Sequence, residues 1–296
     1  MTLTWTVVAA VLFGALLHAS WNALVKSSTD KTLDTALIHL LGSVVTLPLV
    51  LLWGWPKPEA WPFIAASVTI HIAYYLLLTG AYKHGDLGLT YPLMRGTAPL
   101  LVALSSVAAL GEYLSLAGWL GVLAMSAGVL LLGLPGRLVL ANGDHDAAGH
   151  QLRNKAIRFA LANAVIIAIY TVIDAKGARA SGNALQYIVT LFLLDGWPFA
   201  FIVLWQRGKA AQPYIRAYAK KRWPVALGGA VASLGSYGIA LWAMTKAPVA
   251  TVAALRETSV LFAALLGAWL LKEKFTQRRV LGTLTIVAGV MALRLS

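Results

Sequence analysis

The sequence predicts an all-α integral membrane protein of ten transmembrane helices arranged as two inverted five-helix repeats. Three observations carry that prediction. The composition suits lipid: of 296 residues, 59% are hydrophobic and only 12% charged, about half the ~25% charge of ordinary soluble domains, and the mean hydropathy is +0.75. Ten apolar windows of spanning length follow one another with short connections. The chain also matches itself: sliding it by 161 residues without a gap lays Thr90–Leu132 on Thr251–Leu293 with 15 identities in 43 positions.

A spanning helix takes about 20 residues, so ten use about 200 and leave no room for a separate soluble domain. Bounded by charge, Pro and Gly, the windows run roughly 5–25, 33–54, 61–82, 89–109, 114–134, 157–175, 184–206, 223–245, 249–270 and 279–295. Trp5, Trp53, Trp55, Trp61, Trp205, Trp223 and Trp269 stand at window ends, where amphipathic rings sit at headgroup depth. Two connections are long. One, 135–156, carries the flexible Asn142-Gly-Asp-His-Asp-Ala-Ala-Gly149 stretch, and the other, 207–222, is basic. The organisation expected is therefore a first repeat over 1–134, a connecting loop over 135–156 and a second repeat over 157–296. No basic segment precedes the first apolar run, so no cleaved signal peptide is expected.

The self-match pairs Arg95 with Arg256, Thr97 with Thr258, Glu112 with Glu273, Gly121 with Gly282 and Gly128 with Gly289. Leu and Ala coincide by chance in apolar stretches; Arg, Glu and paired glycines do not. An odd number of spans per unit makes the second unit enter from the opposite face, an arrangement that places a substrate site near the midplane between repeats. Of the 24 Lys and Arg, 17 fall in the odd-numbered loops and five on the other side. The positive-inside rule then puts the odd loops in the cytoplasm and both termini in the periplasm. The formal charge of +13 thus marks topology rather than nucleic-acid binding. Cysteine is absent, which excludes disulfides and thiol chemistry.

Polar residues inside the spans are the candidate site, because a charge at membrane depth needs a cavity or a partner. Arg95 and Arg256 occupy one repeat position; each suits an anionic substrate group or a structural pair with Asp195, Glu257 or helix-end carbonyls. In span one His18, Trp21, Asn22 and Lys26 follow one helical stripe, which predicts a cavity wall at Trp21 and Asn22, with interhelical bonding of Asn22 as the plainer alternative. Span six repeats the polar stripe with Asn163, Tyr170 and Asp174, the last expected within reach of interfacial water. Asp195, beside Gly196 and Pro198, sits where the backbone of span seven is expected to open toward a cavity. Tyr74, Tyr75, Tyr82 and Tyr91 suit amphipathic or aromatic solutes or plain packing, and His18, His39 and His71 suit proton transfer or internal hydrogen bonding.

Enzyme signatures such as HExxH, a Walker loop or GxSxG are missing. Asp144, His145, Asp146 and His150 lie in a Gly/Ala-rich loop and read as a solvated linker rather than a metal site. No cofactor is expected.

The ten-span duplication, the His18-Ala-Ser-Trp-Asn22 run followed by Lys26, and the Glu112-x8-Gly121-x6-Gly128 and Glu273-x8-Gly282-x6-Gly289 motifs resemble the EamA-type transporters of the drug/metabolite transporter superfamily. The resemblance covers essentially the whole chain. It implies a bacterial inner-membrane carrier in a basket-like fold with a central cavity, commonly an exporter of amino acids or related metabolites. On Trp and Tyr content, the aromatic amino acid exporters are the nearest branch. The small four-span multidrug relatives use a membrane-embedded Glu in their first helix, and no acidic residue stands between Trp5 and Lys26; substrates with an acidic group fit the arginines better than cations do. The expected partners are a small-molecule substrate, the lipid bilayer and protons as coupling ion, the chain being a monomer or weak homodimer. The alternatives are a flippase-like protein for lipid-linked substrates or an organic cation exporter. Gly121, Gly128, Gly282 and Gly289 are expected to let spans five and ten approach neighbouring helices closely.

Overall fold

The computed structural model describes residues 3–84, 87–133, 147–271 and 276–296. It is about 90% helical, with no strand among the described residues. The helices are α1 (Trp5–Lys26), α2 (Lys31–Trp53), α3 (Trp61–His84), α4 (Leu87–Leu110), α5 (Leu116–Gly133), α6 (Ala147–Ala180), α7 (Ala184–Arg207), α8 (Gln212–Met244), α9 (Val249–Arg256), α10 (Thr258–Leu271) and α11 (Gln277–Arg294), with single 3-10 turns at Pro58–Ala60 and Lys209–Ala211. Eight of them, α1 to α8, are long and apolar enough to cross a membrane.

Local chemistry sets the ends. Thr4, Asp30, Asn183 and Thr276 each accept a hydrogen bond from a first-turn N–H of the helix that follows, satisfying donors that lipid would leave unpaired. Gly54 and Gly208 end α2 and α7 at φ +79° and +69°, a conformation glycine adopts without the Cβ clash. Trp5, Trp53, Trp55, Trp61, Trp205 and Trp223 are exposed at helix ends.

Three expectations about elements are corrected. Span nine is two helices: α9 ends at Arg256, a turn falls on Glu257 and α10 begins at Thr258. The Thr258 hydroxyl donates to the Leu255 carbonyl at 2.8 Å, the kind of local side-chain bond that competes with the helical ladder. The basic stretch after Gly208 is not a loop: from Gln212 it is the first three turns of α8, and residues 147–156 are the start of α6. The remainder of the connecting segment, with Asp144, His145 and Asp146, and Glu273 of the second closing motif lie outside the described residues.

The principal pairings are α5 with α11, α2 with α7, α3 with α6, α4 with α6 and α1 with α8. Glycines set the first of them. A Cβ on Gly282 would lie 3.0 Å from the Gly128 carbonyl oxygen, one on Gly128 2.9 Å from that of Gly282, and one on Gly289 3.1 Å from that of Gly121. Backbone therefore meets backbone, and a larger residue at these positions forces the helices apart.

Candidate functional site

The helix that organises the site is short. Val249 to Leu255 of α9 are all buried, packed by α1, α4, α5, α6 and α8, so the break at Glu257 places Arg256, Glu257, Thr258 and Ser259 deep in the bundle.

Arg95 on α4 is 7% exposed. Its Nε lies 2.9 Å from Glu257 Oε2, a charge contact rather than an aligned hydrogen bond, and its Nη2 donates to Ser259 Oγ at 3.3 Å. Arg256 is half-buried and belongs to none of the ion pairs among the described residues. Its guanidinium carbon stands 4.9 Å from the centre of the Tyr237 ring, a cation–π distance. The self-match of the sequence accounts for the difference. Under the 161-residue shift Arg95 corresponds to Arg256, but its two partners Glu257 and Ser259 correspond to Gly96 and Ala98, which carry neither carboxylate nor hydroxyl. Gly96 is itself enclosed: a Cβ there would lie 2.7 Å from Leu130 Cγ.

From Arg256 a run of rings crosses the bundle. Tyr237 on α8 lies 6.1 Å from Tyr170 on α6; Tyr170 lies 4.6 Å from His71 and 5.9 Å from Tyr74, both on α3. Tyr75 stacks on Phe199 of α7 at 4.4 Å. Tyr91 on α4 is half-buried against the main core. Centroid spacings of 4.5–7 Å are the range in which ring pairs attract. The run ends at Asp195, whose Oδ1 is 3.1 Å from His71 Nδ1 and whose Oδ2 is 4.0 Å from His39 Nδ1, while the Tyr75 hydroxyl and His39 Nε2 are 2.8 Å apart.

Several expectations change here. Asp174 is fully buried rather than reached by interfacial water: it accepts the Tyr187 hydroxyl at 2.8 Å and the Tyr237 hydroxyl at 2.5 Å, and so fixes the ring that Arg256 covers. The backbone beside Asp195 does not open, for α7 runs unbroken through Gly196 and Pro198; Gly196 instead presses on α2, where a Cβ would overlap the His39 carbonyl and Ser43 Oγ. Asn163 is fully buried between α6 and α4 and donates to Met94 Sδ at 3.1 Å. Asn22 donates to the His18 carbonyl of its own helix at 2.8 Å, and Trp21 Nε1 reaches His18 Nδ1 at 3.3 Å. His18, Trp21 and Asn22 are half-buried on α1, with His18 in range of the charges of Arg95 and Arg256.

Tyr237 and Tyr187 were missed by a reading of each span in isolation, whereas Glu257 was named as a structural partner of the arginines and pairs with Arg95. Which arginine takes Glu257 follows from the fold; in the self-match Glu257 aligns with Gly96.

Ionic networks tie helix ends on both sides of this centre. Arg207 pairs with Asp30 through both nitrogens at 2.8 Å, and Arg222 binds Asp34 at 2.9 Å and the Leu24 carbonyl at 2.8 Å. Elsewhere Glu112 pairs with Arg179 at 2.6 Å and accepts the Val249 N–H at 2.7 Å, a carboxylate at the positive end of α9, while Arg179 also donates to the Met244 carbonyl. These arginines mark loop topology in the sequence; in the fold each also joins helices from both halves.

Residues 154–295 match the model of the EamA-like transporter family. No curated protein matches the chain. Among solved structures, a crystal structure described only as that of a protein superposes with a TM-score of 0.72 at 21% identity, covering 97% of this chain and 98% of its own; at that identity the likeness is one of fold. Over its second half the chain is thus similar to the EamA-like transporter family, and its apolar helices are those of a multi-pass membrane protein.

Proposed function

We propose that the chain is a secondary transporter that moves a small carboxylate-bearing metabolite, an amino acid or close relative, out of the cell across the bacterial inner membrane, with Arg256 as the anchor for the carboxylate. One observation carries this: of two arginines at one position of the self-match, Arg95 pairs with Glu257 and Arg256 has no carboxylate within ion-pair distance among the described residues. A buried guanidinium presents a planar fork of donors that suits a carboxylate. The neighbouring Tyr237, Tyr170 and Tyr74 rings supply apolar area for an aromatic or amphipathic side chain.

The helix pairings support the inverted repeat. If α9 and α10 together make span nine and α11 span ten, exchanging the halves turns α1·α8 into α6·α3 and returns α2·α7 and α5·α11 to themselves. A pseudo-twofold axis in the membrane plane leaves the packing unchanged, which is the basis for rocking the halves between inward- and outward-open states. Substrate drives such an equilibrium only through unequal affinity for the two states.

The test is uptake of labelled phenylalanine, tryptophan and threonine into proteoliposomes by the wild type and Arg256→Ala. Saturable flux that the variant loses, with its folded yield intact, supports the assignment. Equal flux by a folded Arg256→Ala overturns the role of Arg256, and absence of flux for every amino acid overturns the substrate class.

A further inference from the structure

The polar cluster at the far end of the ring run from Arg256 has a composition of its own. Asp195 on α7 is 9% exposed and His71 on α3 8%, and the only ion-pair partners of Asp195 among the described residues are the imidazoles of His71 and His39. From α3 Tyr75 faces it, with Tyr74 packed against His71 and Tyr75; from α6 Tyr170 and Asp174 lie behind His71; from α8 Tyr237 approaches through Tyr170. Asp174 is satisfied by the Tyr187 and Tyr237 hydroxyls, and Arg256 lies beyond Tyr237. Among the described residues only an imidazolium lies within ion-pair distance to balance this carboxylate.

We propose that Asp195, His71 and His39 hold one exchangeable proton and form the coupling site through which a proton gradient drives the carrier; this rests on the transport reading above. With one proton on the two imidazoles the cluster is neutral. With none it is a buried anion and with two a buried cation, and an uncompensated charge out of water is disfavoured in either direction. The proton therefore stays while the cluster is enclosed and leaves when water reaches it. In the release step an imidazolium N–H bond breaks, the ring keeps the electron pair and the proton passes to water on one side; the reverse step takes a proton from water on the other. The residues are placed for this: His39 and His71 belong to the first half and Asp195 to the second, so relative motion of the halves acts on the contact that holds the proton. The hydroxyl of Tyr75 extends the chain from His39.

The direct test needs no substrate. In the purified full-length protein carrying 15N-labelled histidine, at about pH 7 where free imidazole is poised between its forms, one of His39 and His71 should give the doubly protonated nitrogen signature. Asp195→Asn should abolish that signature and His84→Gln should leave it; His71→Gln provides a second disruption if Asp195→Asn folds poorly. Neutral rings at both positions in the wild type, or a signature that survives Asp195→Asn, overturns the proposal. In proteoliposomes, phenylalanine accumulation driven by a pH gradient should fall further in Asp195→Asn than phenylalanine counterflow, which needs no net proton movement. Accumulation that ignores the gradient in the wild type also overturns the proposal. Lack of any amino acid flux overturns instead the substrate reading, while the spectra still decide the proton site.

Discussion

Arg95 and Arg256 occupy one position of the 161-residue self-match and stand in different surroundings. Arg95 meets a carboxylate and a hydroxyl from the other half, and is buried with them as a cross-half tie. Arg256 meets Gly96 and Ala98 at the equivalent places, lies on an aromatic ring and keeps its donors. In a symmetric dimer of two identical units both arginines would be tied or both free. In this chain a single acidic residue, at Glu257 and not at 96, pairs with Arg95 and leaves Arg256 outside the ion pairs among the described residues.

The comparison breaks most sharply at Arg95. Arg95→Ala leaves Glu257 buried without its ion-pair partner, a change that costs about 3–5 kcal/mol when one partner of a buried pair is removed; it should collapse the yield of monodisperse protein and its thermal midpoint. The double variant Arg95→Met with Glu257→Leu should recover most of that loss. A stable Arg95→Ala would show the pair is not structural.

Next in size is the contact that remained symmetric. Gly121 and Gly282 are repeat counterparts and both face backbone across α5 and α11, so Gly121→Leu and Gly282→Leu should each lower folded yield, and by similar amounts, since overpacking costs about 1–3 kcal/mol or more. Normal yield with altered substrate preference for Gly282→Leu would move that glycine from packing to selectivity.

Arg256→Ala should do the opposite of Arg95→Ala: little change in thermal midpoint, and a drop in flux of about tenfold or more, the worth of a charged hydrogen bond of about 1.5–3 kcal/mol. The smallest effect is expected at Tyr237. Tyr237→Phe keeps the ring under Arg256 but removes the hydroxyl from Asp174, costing about 1 kcal/mol of stability with flux largely kept, whereas Tyr237→Leu also removes a cation–π contact of about 0.5–2 kcal/mol and should raise the half-saturating substrate concentration.

Much of this was legible from the residues. Apolar length, Trp at the ends and the 161-residue self-match located the first eight spanning helices and singled out the two arginines, because hydropathy and repetition are properties of the string. The break at Glu257 was not legible, since no Pro or Gly marks the Arg256-Glu257-Thr258-Ser259 stretch as an end and the helix stops there through one hydroxyl-to-carbonyl bond and a salt bridge from a residue 162 positions earlier. Asp174 was misjudged for a related reason. Its distance from the span end suggested water, but Tyr187 and Tyr237, from two other helices, cover it.

What the sequence determined by itself is the solvent and the inventory: lipid around the helices, a self-match at 161 residues, and polar groups too costly to leave facing that lipid. Only the tertiary structure decided how those groups are shared out. Electrostatic pairing at membrane depth depends on which side chains come within about 4 Å, and that distance is set by helices from opposite halves crossing at α9, at the His39–Gly196 contact and at the glycines of α5 and α11.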